Sequence, residues 1–108
     1  MISDSLRARM EELCDTIQQI SGINPRINSR KSDYVSVRSM VAQVLTDEGA
    51  SESDVGELFG KNHATVAHYK KRMTFIDSPG WQAEKELWIK FQKAIGIFKE
   101  KKRNEFMI

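Results

Sequence analysis

The chain of 108 residues has one cysteine, two prolines, two histidines and no apolar run longer than a few residues. The lone Cys14 cannot close an internal disulfide or build a thiolate metal cluster, so it reads as a small core residue of a protein in a reducing cytoplasm. Without a long apolar run no membrane span is expected, and the opening M-I-S-D-S-L-R lacks the basic-then-apolar order of a signal peptide. His63 and His68 stand five apart with no acid between them and no cysteine nearby, which excludes the usual zinc spacings. No nucleophile can be matched with a base, so the chain reads as a non-enzyme that needs no cofactor. G-E-L-F-G-K-N looks superficially like a phosphate-binding loop. Its glycines are one residue too close, and Asn62 stands where a serine or threonine is required, so no nucleotide site is expected.

Charge of one sign is also scarce: 17 basic against 15 acidic residues leave a formal charge of +2. Its distribution is more telling than its sum. Residues 1–20 and 51–60 are acidic, whereas residues 61–75 hold Lys61, Lys70, Lys71 and Arg72 with no acid. Arg26, Arg30, Lys31 and Arg38 form a second basic group interrupted only by Asp33. Segregation of this kind is the electrostatic footprint of a nucleic-acid face.

What is present is helical periodicity. Ile2, Leu6, Met10, Leu13, Ile17 and Ile20 step by three and four and line one stripe, with Ser3 or Ser5 as cap. Gly22 and Pro25 end that helix and open a loop bearing Arg26, Arg30 and Lys31. Ser32 or Asp33 starts a helix that turns Val37, Met40, Val41, Val44 and Leu45 inward and ends at Gly49. Ser51 or Ser53 caps a short third helix closed by Gly60. A fourth runs from about Asn62 to Phe75, broken by Asp77, Ser78, Pro79 and Gly80. A fifth aligns Trp81, Trp88, Phe91, Ile95 and Phe98, widened by Leu87 and Ala94, as a lid on the core. No period-2 strand is visible. The length suits one domain, divided as a helix over 1–21, a basic loop over 22–32, a helix-turn-helix core over 33–75 and an aromatic helix over 79–103. The expected fold is an all-α bundle of about five helices.

Within it, V-G-E-L-F-G-K-N-H-A-T-V-A-H-Y-K-K (55–71) reads as a helix-turn-helix. Gly56 falls where two helices press together, Gly60 where the chain turns, and Val66 where the second helix needs an apolar anchor. Val55, Leu58, Phe59, Val66 and Tyr69 face inward. Asn62, His63, Thr65, His68, Lys70 and Lys71 are left outside, and groups of these types read base edges and neutralise phosphates.

The stretch S-R-K-S-D-Y-V-S-V-R-S-M-V-A-Q-V-L (29–45), followed by V-G-E-L-F-G-K-N-H-A-T-V-A-H, resembles the C-terminal DNA-binding domain of the bacterial replication initiator DnaA. The likeness runs from about Ile17 to about Phe75. It implies a Trp-repressor-like helix-turn-helix that binds a short asymmetric box in duplex DNA, with a loop arginine in the minor groove and the second helix in the major groove. By resemblance the minor-groove arginine is Arg30, the DNA-contacting arginine of the central helix is Arg38, and His63 and Thr65 match the family's reading residues. Asn62 replaces an acid, Ala64 replaces a threonine, Thr46 falls near a lysine of the family, and the turn G-K-N is one residue shorter. The family's ATPase module has no counterpart here, so recognition without strand opening is implied.

These departures have chemical meaning. Asn62 both donates and accepts, which suits adenine, where an aspartate suits the cytosine amino group. Ala64 keeps only a methyl contact with thymine. The expected base readers are therefore Arg30, Asn62, His63, Ala64 and Thr65. The expected phosphate contacts are Arg26, Lys31, Arg38, Lys61, Lys70, Lys71 and Arg72, while His68, on another side of the wheel, is expected to be structural. Double-stranded DNA is the expected partner, in a cytoplasmic, nucleoid-associated protein acting in replication or transcription. The competing expectation is a helical interaction module that binds a protein, or a second copy of itself, through the Trp81–Phe98 helix, the shortened turn having impaired DNA docking.

Overall fold

The computed structural model describes residues 2–96, in which five helices follow one another: α1 (Asp4–Ser21), α2 (Ser32–Asp47), α3 (Glu52–Phe59), α4 (His63–Met73) and α5 (Gln82–Ala94). No strand occurs among the described residues. The all-α, five-helix expectation therefore holds. The far end of the expected aromatic helix, including Phe98, lies outside the described residues.

Each helix starts and stops for a local reason. Ser3 caps α1 by accepting from the Leu6 N–H, and Gly22, at φ 76°, ends it by donating to the Gln18 carbonyl. Ser51 caps α3 through the Asp54 N–H, with Glu52 and Asp54 in its first turn. α2 starts one residue earlier than expected: Lys31 is its N-cap and makes no side-chain cap bond. Neither Ser32 nor Asp33 caps it, and the Ser32 hydroxyl instead accepts from Arg72 Nη2 at 3.0 Å. α4 is shorter at both ends than expected, because Asn62 is its cap and the chain leaves the helix at Thr74.

α2 is the central post, packed against α1, α3 and α4, while α5 lies along α1. Val37, Met40, Val41, Val44 and Leu45 are all buried, as their spacing indicated, and so are Met10, Leu13, Cys14 and Ile17 of α1. Burial pushes the Cys14 thiol up to about 12, despite the opposing pull of Arg26, so the sulfur is an inert core atom. Among the described residues of the α5 stripe, Phe91 alone is fully buried. A fully buried side chain of that size contributes roughly 1.5–3 kcal/mol, which makes it the pin that holds α5 down. Leu87, Trp88 and Ile95 are half-buried around it. The large apolar side chains left exposed among the described residues are Ile20, Ile27 and Phe75, none of them on α5.

Candidate nucleic-acid interface

The α3–α4 pair forms a helix-turn-helix whose geometry is dictated at two glycines. Gly60, at φ 68°, lets Gly60 and Lys61 donate back to the carbonyls of Glu57 and Gly56, at 3.1 and 2.7 Å, which closes α3 with two bonds. A Cβ on Gly56 would lie 2.6 Å from the Lys61 carbonyl oxygen. Only glycine admits so close a backbone, and the short G-K-N turn is tight for that reason. Asn62 follows, with its Oδ1 accepting from the Thr65 N–H at 2.9 Å and from the Thr65 hydroxyl at 3.1 Å. Val66, Tyr69 and Met73 then face the core.

At about 100° per residue, His63, Ala64, Ala67, His68 and Lys71 fall within one arc of about 140°, and all five are exposed. His68 is thus an exposed residue rather than a structural one, at the far edge of the arc about 140° round the helix from His63. The two alanines at the centre of the arc leave the helix backbone open to close approach by a neighbouring surface.

Near the turn before α4 lies the basic loop, held by a buried arginine. Arg38 is only 4 % exposed. Its Nη1 donates to the Ile27 carbonyl at 2.7 Å, its Nη2 to the Ser29 carbonyl, and its Nε to the Tyr69 hydroxyl on α4 at 3.0 Å. From the other side, Lys61 Nζ donates to Asn28 Oδ1 at 2.6 Å. Residues 27–29 are therefore clamped between α2 and the turn before α4. Arg30, the next residue, is exposed within two positions of one anchor, and His63 within two of the other.

Several expected roles change. Arg38 is not available to a phosphate, because its guanidinium is enclosed and bonded to loop carbonyls and Tyr69. Arg26 is turned away from α4: it pairs with Glu11, with Asp15 at 2.8 Å, and bonds Gln18 and Asn24. Burial would lower its pKa, but the hydrogen bonds to Asp15 and Glu11 prevail and hold it above the ordinary value. It fastens the loop to α1. Arg72 is also committed inward, its Nη2 bonding Ser32 and Ser36 at 3.0 and 2.9 Å and its guanidinium lying 4.8 Å from the Trp81 ring centre. Asn62 cannot make the bidentate pairing expected with adenine while both of its short bonds to Thr65 occupy Oδ1; only its amide N–H groups remain free. Thr65 likewise gives its hydroxyl proton to the cap.

Arg30, His63 and Ala64 keep their expected exposure, as do Lys31 and Lys71. Lys61 retains two further N–H donors beyond its bond to Asn28. Lys70 meets Glu52 at 3.6 Å in a half-exposed pair, an interaction weak enough to be exchanged for another anion. Sequence reasoning missed Phe75 and Trp81 as neighbours of this face; their rings stack at 6.1 Å with 23° between planes. The basic and aromatic composition of residues 70–81 was the only available signal. No family model, curated protein or solved structure matches this chain. Among the described residues there is no group of side chains that could hold a metal ion, and no helix is long and apolar enough to cross a membrane.

Proposed function

We propose that this chain binds duplex DNA site-specifically, with α4 in the major groove and Arg30 in the adjacent minor groove, in the manner of the DnaA C-terminal domain it resembles. The observation that carries this reading is the clamp on residues 27–29. Arg38 and Lys61 together hold the loop bearing Arg30 beside the exposed start of α4, so two reading elements of different reach share one side. The wide groove admits an α-helix, and the narrow one attracts a guanidinium. His63 and Ala64, in the first turn of α4, are the base-edge candidates, while Lys31, Lys61 and Lys71 neutralise phosphates. The reading covers the recognition step alone, in replication or in regulation near an origin, and it places the protein on the nucleoid.

A fluorescence titration with random-sequence duplex tests it first. Three lysine contacts predict a log–log salt dependence with a slope of about −3. Selection from a random pool then supplies the preferred site, on which His63→Ala is expected to cost roughly 1–3 kcal/mol and on random duplex far less. No duplex binding at low salt, or equal losses on both DNAs, would remove the reading.

A further inference from the structure

Between the end of α4 and the start of α5 lies a shallow cleft of about 350 Å³, lined by His68, Lys71, Arg72, Phe75 and Trp81. Two of its features fall outside the duplex reading. Phe75 remains 43 % exposed although an aromatic ring of this size usually finds cover. Its ring stacks on Trp81, and Trp81 lies against the guanidinium of Arg72, so three planar groups sit in succession at one edge of the cleft. The cleft is also lined by the exposed Lys71 and His68. No acid lines the cleft, so its charge is of one sign.

We propose that this corner is a binding site for an unpaired nucleobase and its phosphate, offered by single-stranded DNA. The flat Phe75–Trp81 pair supplies a stacking platform, and Lys71 with His68 supplies N–H donors for the phosphate beside the base, the combination that holds single strands without regard to sequence. A phosphorylated or acidic peptide fits less well. Such partners favour an open arginine fork, whereas Arg72 Nη2 already serves Ser32 and Ser36 and its Nε is buried. The cleft continues the arc of α4 through Lys71, so a strand leaving a duplex bound at His63 passes over Phe75. The site does not depend on that duplex contact and is tested apart from it.

The test uses the full chain carrying Trp88→Phe, which leaves Trp81 as its one indole, and an oligothymidylate of about ten nucleotides, within the site sizes of single-strand binders. Saturable quenching of Trp81 is expected. Phe75→Ala should weaken binding roughly 5- to 150-fold, the equivalent of one lost base stack, and Phe75→Leu should weaken it as well, since it keeps the apolar bulk and removes the π face. Neither variant should change affinity for random duplex, and unchanged far-UV circular dichroism shows that they fold. Oligothymidylate binding that is indifferent to both variants overturns the proposal. So does thymidine monophosphate binding as tightly as the strand, which would make a free nucleotide the ligand, and so does a parallel loss on duplex, which would merge this site with the one described above. If duplex binding is absent while Trp81 is still quenched, the duplex reading fails and this one stands.

Discussion

A methyl group on Gly56 would meet the carbonyl of Lys61 at a distance that real Cβ atoms do not reach, and what it meets is backbone. Alanine usually gains about 1 kcal/mol over glycine inside a helix. Here the contact can be relieved only by opening the turn that Gly60 and Lys61 close, so overpacking should outweigh the propensity gain. Gly56→Ala is expected to lose up to about 2 kcal/mol net in urea unfolding, an overpacking cost of about 1–3 kcal/mol less the propensity gain, and a stabilised variant would show a turn looser than the one described. The need for glycine at this position was legible in the chain, because a small residue four before a turn glycine implies a close crossing. The roles of the arginines were not legible. Arg26, Arg30, Arg38 and Arg72 have the same charge and similar neighbours, yet one pairs with Glu11 and Asp15, one is exposed, one is buried on carbonyls and one is pressed on Trp81. Which partner a guanidinium finds depends on chain segments up to 40 positions away.

At the scale of the helix, α4 shows how a capping group and a reading group compete for one side chain. Asn62 stands where the recognition helix begins, and the first N–H groups of a helix need acceptors. Oδ1 meets that need through Thr65. Asn62→Ala is therefore expected to lower stability by about 1 kcal/mol, whereas Asn62→Asp keeps the acceptor and adds a favourable charge at the helix start. Thermal unfolding of the two variants checks this. On DNA the alanine variant should lose affinity alike on every duplex, and a loss confined to the selected site would return Asn62 to the readers. Helix identity and inward faces were legible from three-and-four spacing alone, as Val37 to Leu45 and Met10 to Ile17 show. Ends were legible where a serine or glycine stood at the right place, as at Ser3, Gly22, Ser51 and Gly60. The start of α2 was misjudged because Ser32, a good cap by type, is held by Arg72 instead.

For the molecule as a whole, Arg38 is the joint at which the loop, α2 and α4 meet. It sits without a carboxylate among its hydrogen-bond partners, so its charge is compensated by carbonyl dipoles and the Tyr69 hydroxyl. Removing it leaves those groups buried and unmatched. Arg38→Gln is expected to speed hydrogen exchange at residues 28–30 and to erase the difference between selected and random duplex. The salt slope should stay the same, because no phosphate contact is lost; a slope shallower by about 0.9 would assign Arg38 to a phosphate after all. From its order of residues alone, the chain determined that it would form five helices, which stripes would be buried, and where a tight helix-turn-helix would fall, because periodicity, caps and glycines act over a few residues. Only the tertiary structure decided which cations remain on the surface, that Asn62 caps, that His68 is exposed, and that Phe75 and Trp81 meet. Those outcomes depend on burial and hydrogen-bond partners brought together by packing, which local pattern does not encode.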